Sequence, residues 1–303
     1  MRECINLDRW LETFHLVDGA ISTELFRRGC PQQVAPEQWA LSHTGALIQT
    51  HHDYLAAGAE ALMAATFGAN LFNPLAEFSE ATLAEALDVL VGLARESAGE
   101  HVLVAASVGP LGLFADSNPG SSELKEHYRR HLEILRETEC DLIAFETFTS
   151  IKEAMIALEQ AHSLQLPCLI SFATDDSGGL EDGDSLRHWV DHINQSEALA
   201  VGCNCSPDIT AAVQVARRMR ELTELPLIMR PNAGQPDSAG NYPVTAPAFA
   251  KHAVALFEAG VDIIGGCCGT SPEYIAAVAE ALREHGEHGD DSGADLSGPD
   301  AIS

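Results

Sequence analysis

Short apolar runs separated by helix-like segments recur eight times along this chain of 303 residues, and this alternation limits the possible folds more than any other feature. The runs are rich in Val, Ile, Leu and Phe, and none alternates cleanly with polar residues. They lie at residues 15–20, 60–67, 102–109, 141–147, 167–173, 199–205, 226–232 and 261–268. Runs of this kind are typical of parallel strands that are buried on both faces.

The segments between these runs have the spacing of amphipathic helices. Apolar side chains follow a helical period from Ile209 to Met219, and again from Ile275 to Leu282, after the favourable helix start Ser271-Pro272. Helices are also predicted over residues 79–99, 122–138 and 151–164. Eight repeated βα units predict an α/β fold, a single (β/α)8 TIM barrel. A doubly wound parallel sheet is the alternative, because the number of strands does not show that the sheet closes.

The composition of the chain changes at about Gly286. Residues 1–285 are predicted to form the barrel. Residues 286–303 are acidic and rich in Gly and Ser. We expect this tail to be disordered, because it cannot bury enough apolar surface to order itself.

The net charge of the chain argues against several kinds of partner. There are 45 Asp and Glu residues against 17 Lys and Arg, which gives a net charge of −28. Nucleic acids and anionic membranes are bound through basic surfaces, so neither is an expected partner. No run reaches the roughly 18 apolar residues of a membrane-spanning helix. The N-terminal residues lack the apolar core of a signal peptide. We therefore expect a cytoplasmic protein with small-molecule substrates.

The ends of the predicted strands are where a parallel barrel carries its functional groups. Six strands end in distinctive sequences: Asp18-Gly19-Ala20, Thr66-Phe67-Gly68-Ala69-Asn70, Glu146-Thr147, Asn204-Cys205, Pro231-Asn232-Ala233-Gly234 and Gly265-Gly266-Cys267-Cys268-Gly269. These positions are the candidates for the site.

Three cysteines at these strand ends predict a metal site. Cys267 and Cys268 are adjacent, and the glycines that flank them allow the backbone to bend so that both thiolates face one point. Cys205 ends another strand on the same face of the barrel. Three protein ligands with an open fourth position is the arrangement of catalytic zinc, so we expect Zn²⁺ here.

Cys203 is a possible fourth zinc ligand. It lies two residues before Cys205, so we expect both side chains to point to the same side of the strand. As a ligand it would close the site. A core position is the preferred interpretation for Cys203, as it is for Cys140 and Cys168, because free cysteines are usually buried.

An open zinc–thiolate site favours alkyl transfer to sulfur. Three thiolates make the metal a poor Lewis acid for splitting water. The same metal lowers the pKa of a bound substrate thiol and holds it as the nucleophilic thiolate. The expected reaction is attack by that thiolate on an electrophilic carbon.

Two acidic strand ends predict a binding site for an amino group. Asp18 and Glu146 lie on the same face and can pair with a substrate ammonium. The backbone N–H groups of the turn at Gly19 and Ala20 can hold a carboxylate. Together these groups describe an α-amino acid that carries a thiol. Either acid can instead serve as a helix cap or bond to a loop.

Together the motifs resemble the homocysteine S-methyltransferase family. The resemblance spans residues 14–285. It rests on the strand ends quoted above, and mainly on Asn204-Cys205 and the Gly265–Thr270 hexapeptide. Within the family, the likeness is nearest to the homocysteine-binding module of cobalamin-dependent methionine synthase. It implies a TIM barrel, zinc on Cys205, Cys267 and Cys268, and homocysteine as methyl acceptor. It also implies that Asp18 and Glu146 hold the amino group. Thr66 and Asn204 are expected to complete the substrate site.

The chain departs from that family in two respects. Cys203 stands where the family usually has an aliphatic residue. No folate- or corrinoid-binding domain follows the barrel, so we expect an external methyl donor. S-methylmethionine or S-adenosylmethionine is favoured. Betaine is less expected, because only 6% of the residues are aromatic.

Three alternative functions stay open at this point. The chain can be a subunit that receives its methyl group from a separate methylcorrinoid protein. It can methylate another thiol or a selenol. Its cysteines can also form a redox switch, which requires a pair that closes into a disulfide.

Overall fold

The computed structural model describes residues 5–111, 119–205 and 208–290. Within these ranges eight parallel strands form one sheet in the order β1-β8-β7-β6-β5-β4-β3-β2. The strands are β1 (His15–Leu16), β2 (Ala61–Ala64), β3 (Leu103–Val108), β4 (Leu142–Phe148), β5 (Cys168–Phe172), β6 (Val201–Asn204), β7 (Leu227–Arg230) and β8 (Ile263–Ile264). Each lies within its predicted apolar run, except that β4 continues one residue further, to Phe148.

Helices connect the strands and surround the sheet. In the described residues they are α1 (Leu7–Leu11), α2 (Ile21–Arg27), α3 (Pro36–Ser42), α4 (Thr44–Ala56), α5 (Glu80–Ala98), α6 (Ser121–Arg136), α7 (Ile151–Ser163), α8 (Leu186–Ile193), α9 (Ile209–Arg220), α10 (Ala246–Glu258) and α11 (Pro272–Asp290). The predicted helices at α5, α6, α7 and α9 are confirmed to within two residues at each end. None of the helices in this part of the chain combines the length and the apolarity that a bilayer span requires.

Two hydrogen bonds join β1 to β2 and complete the ring of strands. The N–H of Glu60 donates to the carbonyl of Leu16 at 2.8 Å. One step further, the N–H of Met63 donates to the carboxylate of Asp18 at 2.8 Å. A side chain takes the place of a backbone carbonyl there, because β1 is only two residues long. The strand order, with β1 beside β8, confirms the TIM barrel rather than the doubly wound sheet.

Alternate residues of the strands divide between two apolar cores. Val17, Met63 and Ile228 belong to the core inside the barrel, against which α1 packs through Trp10. The larger core lies between the strands and the surrounding helices. Because the barrel is filled, its functional groups gather at the rim where the strands end.

Helix α11 begins at Pro272, as predicted, and runs to Asp290. It therefore passes Gly286, where the composition predicted the end of the barrel. A helix that is already formed gains one hydrogen bond for each residue it adds, so it can extend into a polar segment. Residues 291–303 lie outside the described residues, and the acidic tail stays a prediction.

Candidate active site

Three cysteine thiols meet at the carboxyl ends of β6 and β8. The Sγ of Cys205 lies 3.1 Å from that of Cys267 and 3.6 Å from that of Cys268. All three sulfur atoms lie within 4.8 Å of one another. Around a tetrahedral zinc ion with Zn–S bonds of about 2.3 Å, two sulfur ligands lie about 3.8 Å apart. The spacing and the chemistry of these thiols therefore fit the predicted zinc site.

Backbone hydrogen bonds to the end of β7 hold two of these cysteines in place. The N–H of Cys205 donates to the carbonyl of Arg230 at 3.2 Å, and the N–H of Cys267 donates to the carbonyl of Pro231 at 2.9 Å. Asn232 Nδ2 donates to the carbonyl of Cys205 at 3.1 Å. The end of β7 and the residues that follow it thus bind both Cys205 and Cys267.

Hydrogen bonds within the cluster favour one thiolate, on Cys268. Cys205, Cys267 and the hydroxyl of Tyr242 all hydrogen-bond its sulfur, and together they hold the pKa of Cys268 well below its usual range. The pKa of Cys205 is raised, because its hydrogen bonds to the two other thiols and its burial favour the protonated form. The Tyr242 ring covers Gly269, which adopts a φ of 84°.

Cys203 lies outside the thiol cluster, in the outer core. Its sulfur is 3.8 Å from the Sδ of Met219 on α9 and 4.0 Å from the Oγ1 of Thr174. The prediction that Cys203 and Cys205 point to the same side is wrong. Cys205 follows the end of β6 with a φ of 55°, and this left-handed residue breaks the alternation of the strand. The structure favours the core interpretation of Cys203.

A buried arginine joins the two acids that were predicted to bind an amino group. Arg230, the last residue of β7, donates from Nη2 to Asp18 Oδ1 at 3.0 Å and from Nη1 to Glu146 Oε1. The second oxygen of Asp18 accepts from the backbone of Met63, and that of Glu146 accepts from Ser107 Oγ at 2.5 Å. In the described structure, each carboxylate therefore has partners on both oxygens.

Burial and the neighbouring charges set the pKa values of Asp18 and Arg230. Burial raises the pKa of Asp18 to about 7, against the opposing effects of Arg230 and the Met63 N–H. Burial also acts to lower the pKa of Arg230, but the charges of Glu146 and Asp18 outweigh it and raise that pKa. Arg230 is therefore a permanent buried cation.

A cavity of about 130 Å³ at the rim brings the thiols and the ionic group together. Its lining includes seven of the predicted site residues: Gly19, Ala20, Glu146, Asn204, Cys205, Cys267 and Cys268. Arg230 and Glu37 line the same cavity. Asp18 and Thr66, by contrast, lie fully buried behind it. Thr66 Oγ1 donates to the carbonyl of Ser107 at 2.7 Å and so braces two strands.

The turn after Asp18 is partly occupied by its own hydrogen bonds. The N–H of Ala20 donates to Thr270 Oγ1 at 3.1 Å. A side chain at Gly19 would come within 2.7 Å of the same hydroxyl, so only glycine fits there. This turn lines the cavity with backbone, as predicted, but the Ala20 N–H already has a partner.

Sequence reasoning missed two charged residues of the cavity. Arg230 lies near the end of the apolar run 226–232, which predicts a strand, and a charge at the end of such a run is a signal for a buried functional group. Glu37 lies on the short helix α3, where it accepts from the N–H of Gly68 at 2.8 Å, and burial raises its pKa. No strand end marks the position of Glu37 in the sequence.

A family model described as homocysteine S-methyltransferase matches residues 15–282. The chain belongs to the homocysteine S-methyltransferase family. Homocysteine S-methyltransferase YbgG of Bacillus subtilis (strain 168) is 28% identical over an alignment of 308 positions, gaps included, which covers 90% of this chain and 96% of that protein. Homocysteine S-methyltransferase 2 of Arabidopsis thaliana is 29% identical, over 89% of this chain and 93% of that protein. The predicted resemblance to this family is confirmed, and the nearer likeness to the module of cobalamin-dependent methionine synthase stays a prediction.

Solved structures of one relative agree with this membership. The metallated form of the homocysteine methyltransferase MmuM from Escherichia coli matches with a TM-score of 0.78 and 28% identity, over 90% of this chain and 97% of that one. An oxidized form of the same protein matches with a TM-score of 0.77, over 92% and 98% of the two chains. The match thus extends over almost the whole length of both proteins.

Proposed function

We propose that this chain transfers a methyl group to the thiol of L-homocysteine and forms L-methionine, with Zn²⁺ bound by Cys205, Cys267 and Cys268. The observation that carries the proposal is the cluster of three thiols that faces a small cavity at the rim of the barrel. Membership of the homocysteine S-methyltransferase family supports the acceptor. The metallated form of the E. coli relative supports a metal, and soft thiolate ligands favour zinc.

The bound zinc would supply an open position that holds the substrate sulfur as a thiolate at neutral pH. The protein residues orient the rest of the substrate. Glu146 lies on the cavity wall and carries the charge that would receive the ammonium. Gly19, Ala20 and Asn204 shape the wall beside it. Asp18 and Thr66 lie behind this wall and would act by holding its residues in position.

The reaction proceeds as an in-line displacement. The substrate thiolate forms a bond to the donor methyl carbon while the bond from that carbon to the donor sulfur breaks. The electron pair of the broken bond stays on the donor sulfur, so a sulfonium donor leaves as a neutral thioether. Catalysis then comes from positioning and from the thiolate state of the acceptor, without a covalent enzyme intermediate.

We propose S-methylmethionine or S-adenosylmethionine as the donor. The chain and its named relatives match over nearly their full lengths, which favours a free small-molecule donor over a separate methylcorrinoid protein. Selenocysteine is the second candidate acceptor. It is supported by Selenocysteine Se-methyltransferase of Brassica oleracea var. italica, which is 29% identical over 89% of both chains.

Methionine formation by zinc-loaded protein tests the proposed function. The protein is kept anaerobic and mixed with homocysteine and one donor at a time: S-methylmethionine, S-adenosylmethionine, betaine or methylcobalamin. Mass spectrometry then measures methionine. We expect turnover with a sulfonium donor. Tightly bound zinc without turnover on any of these donors would contradict a self-sufficient methyltransferase. A parallel assay with selenocysteine ranks the two acceptors.

A further inference from the structure

We propose that Arg230 determines the acceptor specificity of this site by binding the carboxylate of the acceptor thiol. On this proposal the carboxylate contributes more to binding than the amino group does. The inference rests on the proposed function, because it concerns how the same cavity recognises its thiol substrate.

The guanidinium of Arg230 occupies the position between two carboxylates that a substrate ammonium would otherwise take. It contacts Asp18 through Nη2 and Glu146 through Nη1, and all three side chains are at least nine-tenths buried. Removing one partner from a buried ionic group leaves an uncompensated charge, which is strongly unfavourable. Arg230 therefore stays in place when the substrate binds. The substrate ammonium has to approach a carboxylate that is already paired.

Arg230 keeps hydrogen-bonding capacity for a substrate. A guanidinium carries five N–H donors. Three of them reach Glu146, Asp18 and the carbonyl of Gly19. Nε is buried and has no hydrogen-bond partner in the described structure. Nε itself is closed to the cavity, but Arg230 lines the cavity and its Nη1 carries a second N–H beyond the one that bonds Glu146. An anionic group in the cavity can therefore accept a hydrogen bond from the guanidinium.

The carboxylate of an amino acid suits this position. Guanidinium–carboxylate pairs are charge-assisted and favoured by their matching planar geometry. Arg230 and the three thiols line the same cavity of about 130 Å³, so a short chain can reach both with its two ends. The turn after Asp18 is a weaker binding site for the carboxylate, because the Ala20 N–H already donates to Thr270. The carboxylate is therefore the stronger of the two anchors.

Two homocysteine analogues test this assignment without a methyl donor. 4-Mercaptobutanoate lacks the amino group, and 3-aminopropane-1-thiol lacks the carboxylate. Isothermal titration calorimetry with zinc-loaded protein measures the affinity for homocysteine and for each analogue. We expect the mercapto acid to bind at least about tenfold more tightly than the aminothiol, in line with a charged hydrogen bond. Equal affinities, or tighter binding of the aminothiol, would overturn the proposal.

Two variants separate specificity from stability. In Arg230→Gln we expect the preference for the mercapto acid to disappear. Arg95→Gln is the matched control, because Arg95 is also a buried arginine that pairs with an aspartate, Asp141, and it lies outside the cavity lining. That control should keep the wild-type preference. An unchanged preference in Arg230→Gln would also overturn the proposal. If this variant does not fold, the affinities of the wild-type protein for the two analogues test the proposal without it.

The same titrations distinguish this inference from the proposed function. If homocysteine binds but the aminothiol is preferred to the mercapto acid, only the role of Arg230 is wrong. If zinc-loaded protein binds no homocysteine at all, the proposed function itself fails, and the inference fails with it.

Discussion

Asn204 holds Thr147 through two hydrogen bonds of 2.7 Å: the N–H of Thr147 donates to Oδ1, and Nδ2 donates to the Oγ1 of Thr147. Thr147 has a φ of 65°, which is rare for a β-branched residue. Asn204 directly precedes Cys205, and Thr147 directly follows Glu146. This one contact therefore couples the thiol cluster to the acidic wall of the cavity.

Replacing Asn204 by Ala should weaken substrate binding as well as the fold. Without its two bonds Thr147 relaxes and moves Glu146. We expect a loss of about 1–3 kcal/mol in the free energy of unfolding and a higher KM for homocysteine. Urea unfolding and steady-state kinetics measure the two effects. Asn194→Ala is the control, because Asn194 bonds Leu222 and Thr223 away from the cavity. An unchanged KM in Asn204→Ala would show that Thr147 is held by other contacts.

Cys268→Ala and Cys203→Ala should have opposite consequences. Cys268 belongs to the thiol cluster, so its loss should abolish stoichiometric zinc binding and methionine formation while the fold is retained. Cys203 packs against Met219 in the core. Its replacement should retain zinc and activity and should cost about 1 kcal/mol of stability. Metal analysis after dialysis and thermal unfolding distinguish the two. Loss of zinc in Cys203→Ala would indicate that Cys203 is a zinc ligand after all.

Gly269→Ala should disturb the thiol cluster. Gly269 has a φ of 84°, and a methyl group there would overlap the ring of Tyr242, whose hydroxyl bonds Cys268. We expect weaker zinc binding in a chelator competition, together with a loss of about 1–3 kcal/mol of stability from the strained backbone. Gly240 has a φ of 82° and open space around it. Gly240→Ala is therefore the control, because it introduces the same backbone strain without a steric clash. Equal zinc affinities in both variants would argue against a role for the Tyr242 contact.

A buried histidine should make the fold sensitive to acid. His51 on α4 is fully buried, its ring nitrogens have no hydrogen-bond partner in the described structure, and burial lowers its pKa to about 3. In the unfolded chain His51 takes up a proton below about pH 6.5. Its contribution to stability is therefore complete above that pH and is lost as the pH falls toward 3.

His51→Leu should reduce this loss by at most about 1.4 kcal/mol per pH unit. Urea unfolding between about pH 7 and about pH 5 measures the slope. His101→Gln, at an exposed position, is the control and should leave the slope as in the wild type. A wild-type slope in His51→Leu would mean that other groups dominate the acid response.

The strands were predictable from the sequence because nearly every residue in them is buried. Continuous apolar runs mark such strands, and the thiols were found because cysteines at strand ends must share one rim. The place of Asp18 was not predictable. Its carboxylate bonds the N–H of Met63 at the β1–β2 seam, and this depends on how early β1 ends.

The orientation of Cys203 and the contacts of Arg230 were also not predictable from the sequence. Alternation along a strand fails where a left-handed residue follows its end, as Cys205 does. The contacts of Arg230 depend on three strands meeting at the rim, since Asp18 follows β1, Glu146 is on β4 and Arg230 ends β7. Such contacts are set by closure of the barrel and leave no local pattern in the sequence.

Zinc-edge X-ray absorption of the zinc-loaded protein tests the central claim most directly. On the proposed function, Cys205, Cys267 and Cys268 supply three sulfur ligands to the zinc. We predict three sulfur ligands and one oxygen or nitrogen ligand before homocysteine is added, and a fourth sulfur in place of the lighter ligand afterwards. A sulfur count that stays at three with saturating homocysteine would contradict activation of the substrate thiol at this site.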